Sequence, residues 1–167
     1  MTEHYAAIPQ EMKQVAEFFG KERLADVDEK TFFNQFEQVA QATSQRAALR
    51  AKHFFEENAR VEQTAEALLQ GNKQRLLSLI NQSGDSSVYN LQNCAVGNDT
   101  TVADAVKFAR KICPNCASRV HGGGFQGTIL ALVDGKDISR FTEEMSKRYG
   151  KDKVKVVRVR NFGATVL

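Results

Sequence analysis

The stretch Arg119-Val120-His121-Gly122-Gly123-Gly124-Phe125-Gln126-Gly127 runs directly into Thr128-Ile129-Leu130-Ala131-Leu132-Val133. Four glycines in six positions permit positive φ angles and a close approach by another chain or a ligand. The apolar run that follows is short and free of helix or strand breakers, so it predicts a buried strand. A glycine-rich turn before such a strand can present backbone N–H groups to an anion, or it can be a tight hairpin turn without a ligand. Glycine content alone leaves both interpretations open.

The composition is that of one globular domain spanning residues 1–167, because 42% of the residues are hydrophobic and 26% are charged. The formal net charge of +3 is too small to indicate nucleic-acid binding. The sequence shows no signal peptide and no apolar stretch of about 18 residues. We therefore expect a cytoplasmic protein with neither nucleic acid nor membrane as a partner.

Basic residues near the end of the chain are interleaved with valines, as in Lys153-Val154-Lys155-Val156. This alternation favours the solvated face of an antiparallel or edge strand over a stripe that follows phosphates.

The first two thirds of the chain predict helices. A helix over 9–20 ends at Gly20, and the longest helix, over 44–69, ends at Gly71. A shorter helix is expected to end at the polar stretch 83–87. The long helix carries an apolar stripe at alternating spacings of four and three: Ala47, Ala51, Phe54, Val61, Ala65 and Leu68. Asn58 interrupts that stripe at a position expected to face inward, which favours a buried amide bonded to backbone over a site residue.

The last third of the chain predicts strands around helices. The expected elements are a helix over 101–112, strands at 118–121 and 128–133, a helix over 137–149, and strands at 154–160 and 164–167. The predicted fold class is α+β: a four-stranded antiparallel, ferredoxin-like sheet backed by helices, with a helical amino-terminal part.

The three cysteines, Cys94, Cys113 and Cys116, are an odd count that argues against a disulfide scaffold. A zinc site needs four ligands, and a redox dithiol needs its first cysteine at the start of a helix. Cys113 instead follows the predicted end of a helix. We therefore predict no metal site and no redox role for this C-x-x-C pair.

Residues 118–128 resemble the third signature motif of galactokinases, a branch of the GHMP kinases together with homoserine, mevalonate and phosphomevalonate kinases. In that motif a Gly-Gly-Gly-Phe-Gly-Gly core leads into a strand. Similarity extends to 11–27, to the long helix at 46–61 and to 81–83. Essentially the whole chain can be laid along the carboxy-terminal half of such a kinase, and the resemblance implies the fold of that domain.

The resemblance implies a nucleotide-binding role for the turn, exerted by the backbone amides of Gly122, Gly123, Gly124, Phe125, Gln126 and Gly127. Two positions depart from the family pattern. Gln126 stands where glycine is usual, and its side chain restricts the size of a ligand that can approach the turn. His121 stands where threonine is common. His121 either contacts phosphate oxygens or hydrogen-bonds backbone at the end of its strand.

Tyr5 matches a galactokinase tyrosine that opens this helix and reaches a sugar hydroxyl. The resemblance implies a substrate contact from Tyr5, although Ile8-Pro9 replaces the usual arginine-rich continuation. The alternative is a core or helix-start tyrosine with a solvated hydroxyl.

The resemblance also implies that most of an active site lies outside this sequence. The family's sugar-holding motif, its phosphate-cradling loop and its aspartate do not precede Tyr5, and no Gly-x-x-x-x-Gly-Lys-Ser/Thr loop occurs. We expect ATP and Mg²⁺ as cofactors of a full-length sugar kinase that phosphorylates the anomeric hydroxyl of galactose or a related sugar. The missing amino-terminal half is the expected partner. This chain alone is expected to lack catalytic residues and activity, to expose an apolar patch near the turn and to self-associate.

The alternative function is a stand-alone regulatory or interaction module. Domains with ferredoxin-like sheets bind small effectors or pair through an edge strand without catalysis.

Overall fold

The structure, a computed structural model, describes residues 2–159 and 163. Its elements, in chain order, are α1 (Thr2–Phe18), α2 (Glu29–Asn34), α3 (Phe36–Ala42), α4 (Gln45–Leu69), α5 (Lys73–Ser86), a π-helical turn (Ser87–Leu91), α6 (Thr101–Ile112), β1 (Ala117–His121), β2 (Thr128–Leu132) and α7 (Ile138–Tyr149). The α+β class is confirmed. Among the described residues, no helix combines the length and the apolar character that crossing a membrane requires.

Helices α1 to α4 form the amino-terminal part around one apolar core. The Asp28 carboxylate accepts the Thr31 N–H at 2.8 Å and begins α2, and the Ser44 hydroxyl accepts the Ala47 N–H and begins α4. Gly20 and Gly71, both at positive φ, follow the ends of α1 and α4, as the sequence predicts. The buried core of this part comprises Val15, Ala16, Leu24, Val27, Phe32, Val39, Ala47, Ala48, Ala51 and Phe55.

Strands β1 and β2 form an antiparallel hairpin, paired from Ala117 with Leu132 to His121 with Thr128. Helices α5 and α6 pack against β1, and α6 also contacts β2 and α7. The apolar cluster between the hairpin and the last two helices includes Ala109, Phe141 and Met145. The hairpin thus presents its connecting turn at one end of a framework fixed by three helices.

The sheet differs from the predicted four strands, because the described residues contain only β1 and β2. Residues 154–159 form no strand, which corrects the prediction for that stretch, while residue 160 and the strand predicted at 164–167 lie outside the described residues. A strand requires a ladder of backbone hydrogen bonds to a neighbour, and within the described chain β2 pairs only with β1.

The polar stretch 83–87 is helical, which corrects the prediction of a break. Three of its small residues meet a tertiary partner: the Ser83 hydroxyl donates to Glu57 at 2.6 Å, Ser86 bonds His53, and Gly84 packs against β1. These contacts outweigh the weak helix preference of serine and glycine. Helix α1 likewise begins at Thr2 rather than Pro9, so Pro9 lies inside the helix and leaves the Tyr5 carbonyl without its usual N–H donor.

The apolar stripe of α4 is buried only in its first half. Ala47 and Ala51 are fully buried, whereas Val61 is 66% exposed and Asn58, predicted to face inward, is exposed. The 25-residue helix is about 37 Å long, and its second half extends beyond the amino-terminal core. The helical period therefore predicted correctly which residues share the apolar face of α4. It did not predict the point along the helix at which other parts of the protein cease to cover that face.

The three cysteines are buried free thiols. Burial raises the pKa of Cys94 to about 11 and is the largest cause of the rise at Cys116, to about 12. Both thiols are therefore protonated at neutral pH, and a protonated thiol is a poor nucleophile and metal ligand. No group of three or more metal-binding side chains gathers within residues 2–159.

A buried polar network joins α4 to α5. The His53 Nδ1 atom lies 2.9 Å from the Ser86 hydroxyl, which accepts a hydrogen bond from Asn90 at 3.2 Å and can therefore donate to the ring. This arrangement assigns the ring proton to Nε2, which lies 3.8 Å from a carboxylate oxygen of Glu57. Burial lowers the pKa of His53 and outweighs the opposing attraction of Glu57.

Stability should fall as the pH is lowered from 7 toward 5, in part because of His53. A histidine with a lowered folded-state pKa binds its proton more readily in the unfolded chain. Its contribution is therefore complete above the unfolded pKa of about 6.5 and is lost as the pH falls toward the folded value. Urea unfolding at pH 7 and pH 5.5 should show a smaller loss in His53→Gln than in the native chain. The exposed-residue control His121→Gln should keep the native loss, and an equal loss in all three proteins would contradict this assignment.

Candidate functional site: the glycine-rich turn

The turn that joins β1 to β2 has a strained, well-defined backbone. Gly122 and Gly124 adopt φ angles of 71° and 86°, and the non-glycine residue Phe125 adopts 57°. The Gly127 N–H donates to the Gly124 carbonyl at 3.0 Å, which closes the turn. The Phe125 side chain is buried beneath it. The aromatic ring and the buried Gly124 anchor the turn, while Gly122, Gly123 and Gly127 lie at the surface.

Tyr5, from the first turns of α1, packs directly on this turn. Its hydroxyl donates to the Gly124 carbonyl at 3.2 Å, and its ring meets the Phe125 ring edge-on at 4.9 Å between centroids. A Cβ on Gly123 would lie 2.6 Å from the Tyr5 ring. The tyrosine is 42% exposed, and its hydroxyl oxygen can still accept a hydrogen bond from another molecule.

Asn93 contacts the turn from the segment that follows the π-helical turn. Its backbone carbonyl accepts the Phe125 N–H, and its side-chain Nδ2 donates to the Gly123 carbonyl at 3.2 Å. A Cβ on Gly124 would lie 2.2 Å from the Asn93 carbonyl oxygen. Sequence reasoning missed Asn93, because it lies some thirty residues from the motif and belongs to no recognisable pattern.

The open part of the turn is the edge formed by Gly122 and Gln126. Both residues and Gly123 are exposed, and within the described chain their N–H groups have no protein acceptor. Successive N–H groups in a backbone that alternates between left- and right-handed residues form a concave anion-binding surface. The turn is thus filled by Tyr5 and Asn93 along part of its length and offers free donors along the rest.

An apolar cavity of about 520 Å³ lies between β2, α7 and residues 153–157. It reaches the turn only at His121 and Thr128, the residues that flank it, and none of 122–127 lines it. His121 is exposed at the end of β1. The residues that carry the free donors of the turn therefore do not belong to this cavity.

The structure brings together the residues that the sequence singles out. Tyr5 and the turn are 119 positions apart and share a hydrogen bond. His121 adjoins them, whereas the thiols of Cys113 and Cys116 lie in the apolar cluster beneath the hairpin. The roles of Tyr5 in binding sugar and of the glycine-rich turn in binding nucleotide stay predictions.

Comparison with known proteins shows relatives over most of the chain. The chain is 31% identical over 151 residues to the galactokinase of Glaesserella parasuis serovar 5 (strain SH0165), and the match covers 90% of this chain and 38% of that relative. The galactokinase of Mannheimia succiniciproducens matches to the same extent. The galactokinase of Actinobacillus pleuropneumoniae serotype 5b (strain L20) is 35% identical over 137 residues, which are 81% of this chain and 35% of the relative. No family profile matches the chain.

These matches define the chain as related to sugar kinases. It is a homologue of galactokinases, and the matched extent is consistent with a carboxy-terminal galactokinase fragment. The resemblance based on the glycine-rich motif is confirmed. The chain spans little more than a third of the length of these relatives.

Proposed function

We propose that this chain is the carboxy-terminal domain of a cytoplasmic, galactokinase-like sugar kinase. The whole enzyme would use ATP and Mg²⁺ to phosphorylate galactose or a related sugar at its anomeric hydroxyl. The observation that carries the proposal is the homology to galactokinases along 81–90% of the chain. The amino-terminal half of the enzyme is the partner that would complete the cleft.

The role we propose for the turn is to contact the phosphate side of the nucleotide with backbone N–H groups. Phosphoryl transfer depends on positioning and on stabilising charge that develops on the phosphate oxygens. The exposed N–H groups of Gly122, Gly123 and Gln126 suit that task, because they are already held in place by contacts behind the turn. Gln126, in place of the usual glycine, is exposed, so its side chain points away from the packed side of the turn.

Tyr5 is proposed to accept a hydrogen bond from a sugar hydroxyl. Its own proton is committed to the Gly124 carbonyl, so the oxygen is left as an acceptor. This arrangement links the sugar to the same turn that would contact the nucleotide.

Magnesium coordination is not assigned to residues of this chain. Beside a nucleotide, Mg²⁺ is usually held by phosphate oxygens, water and one or two carboxylates, and we propose none of those carboxylates among residues 2–159.

The isolated chain should bind ATP weakly or not at all by calorimetry, because it offers only one wall of the site. At millimolar MgATP, NMR should still show shifts of the Gly122, Gly123 and Gln126 amides, with little change in α2 and α3. Sub-micromolar binding by this chain alone would contradict the half-site, and unchanged turn amides at saturating MgATP would remove the proposed role of the turn.

Enzyme activity can be tested in a chimera in which this chain replaces the matching segment of the Glaesserella parasuis galactokinase. We expect galactose-dependent release of ADP. A folded chimera without activity, together with turn amides whose NMR signals do not shift with MgATP, would favour the alternative function of a stand-alone regulatory or interaction module. Sedimentation of the isolated chain tests the predicted self-association.

A further inference from the structure

We propose that Asn93 is a positioning residue that fixes the conformation of the glycine-rich turn before a ligand arrives. The proposal rests on the proposed function in one respect: the turn is taken to contact a nucleotide. The geometry that carries it is independent of that function. Asn93 is only 3% exposed, yet its side chain and its backbone both bond the turn.

Two hydrogen bonds from Asn93 hold neighbouring peptide groups of the turn. Its carbonyl accepts the Phe125 N–H, and its Nδ2 donates to the Gly123 carbonyl at 3.2 Å. Together they fix the orientation of the peptides on either side of Gly124. The exposed N–H groups of Gly123 and Gln126 belong to the next peptide group on each side, so Asn93 constrains their directions through the backbone of Gly123 and Phe125.

Asn93 and Gly124 also fit each other sterically. The space that a Cβ on Gly124 would occupy is filled by the Asn93 carbonyl oxygen, Nδ2 and Cγ, at 2.2, 2.6 and 2.7 Å. With Tyr5 packed on Gly123, the turn is confined by side chains from two separate elements. Such confinement sustains the left-handed conformation of Phe125, which is otherwise unfavourable for a residue other than glycine.

The segment that leads to Asn93 is itself fixed by hydrogen bonds, two of them from the buried Arg50. Gln92 adopts a left-handed conformation that ends the π-helical turn, and the Asn93 N–H donates to the Ser87 carbonyl at 3.3 Å. The guanidinium of Arg50, 3% exposed, donates to the Leu91 carbonyl at 3.1 Å and to Glu11 at 2.8 Å. The peptide that precedes Gln92 is thereby tied to α4 and α1, so Asn93 contacts the turn from a rigid support.

The side-chain amide is the group that matters for this role. Aspartate has the same shape but replaces the Nδ2 donor with an acceptor, which would face the Gly123 carbonyl at hydrogen-bond distance. Asn93→Asp therefore removes one hydrogen bond and adds a repulsion, with no change in volume. Asn98→Asp makes the same chemical change at an exposed position and serves as the matched control.

Amide hydrogen exchange of the 167-residue chain tests the inference. In Asn93→Asp we expect exchange at Phe125 and Gly127 to accelerate at least about tenfold, while the amides of α2, α3 and α7 keep their native rates. Asn93→Gln, which retains the amide, should recover part of this protection. Uniform acceleration throughout the chain would show a general stabilising role and overturn the proposal, as would unchanged exchange in the turn.

A second measurement separates this inference from the proposed function. If MgATP shifts the turn amides of the native chain, Asn93→Asp should weaken that binding at least about fivefold relative to Asn98→Asp. If MgATP leaves the native amides unchanged, the proposed function of the turn fails, while hydrogen exchange still decides whether Asn93 positions it. Equal MgATP affinity in both variants would overturn the positioning role.

Discussion

Gly124→Ala is expected to destabilise the protein by about 3 kcal/mol and to abolish any MgATP response of the turn. Two costs add. A left-handed conformation costs an L-residue roughly 1–2 kcal/mol, and Gly124 has a φ of 86°. Overpacking costs about 1–3 kcal/mol more, because the new Cβ would lie 2.2 Å from the carbonyl oxygen of Asn93.

Urea unfolding of Gly124→Ala beside Gly122→Ala separates the two costs. Gly122 has a similar φ of 71°, but a Cβ there would meet nothing within 4 Å. Gly122→Ala should therefore show only the conformational cost, roughly 1–2 kcal/mol, and Gly124→Ala should exceed it. Equal free energies of unfolding for the two variants would mean that Asn93 moves aside easily, and the confined turn described above would then be wrong.

Gly84→Ala should destabilise the protein by about 2 kcal/mol, although alanine is the better helix former. Gly84 lies inside α5 where that helix crosses β1, and a Cβ there would lie 2.5 Å from the Ser118 carbonyl oxygen. That carbonyl is fixed, because it accepts Arg110 at 2.8 Å within a paired strand. Alanine gains about 1 kcal/mol of helix propensity, and separating α5 from β1 costs more than that gain.

Thermal unfolding tests this result, and a fall in Tm of several degrees is expected, at roughly 2–4 °C per kcal/mol. Gly135→Ala is the matched control, because a Cβ at Gly135 meets nothing within 4 Å and its φ is not positive. That variant should unfold at the native temperature. A Gly84→Ala protein as stable as the native one would show that α5 and β1 are less closely packed than described.

Local signals in the sequence predicted most of the elements. Ser44 and Gly71 bound the long helix as expected, and the helix predicted at 101–112 is found with the same ends. Capping residues, glycines after helix ends and hydrophobic period act within a few residues of their own position, so the sequence reveals them directly. The hairpin around the glycine-rich turn was accessible for the same reason.

Signals that depend on distant partners were missed. No residue near Ser83 or Gly84 in the sequence indicates that Glu57 and β1 lie beside them. The polar stretch 83–87 was therefore predicted to end the helix. The period of α4 places Asn58 on the apolar face of the helix. Asn58 is nevertheless exposed, because the amino-terminal core does not extend that far along the helix. The pairing of Tyr5 with the turn was implied only through the resemblance to galactokinases, and the hydrogen bond between them is a tertiary contact across 119 positions.

Helix ends, hydrophobic period and the glycine motif are local properties, so the α+β class, the glycine-rich hairpin turn and the resemblance to galactokinases could all be predicted from the amino-acid order. Which side of the turn is packed and which is open could not be predicted in this way. That division depends on Tyr5 and Asn93, which arrive from separate elements and fill the space that a side chain on Gly123 or Gly124 would need. Close packing between residues far apart in the chain leaves no pattern in a single sequence.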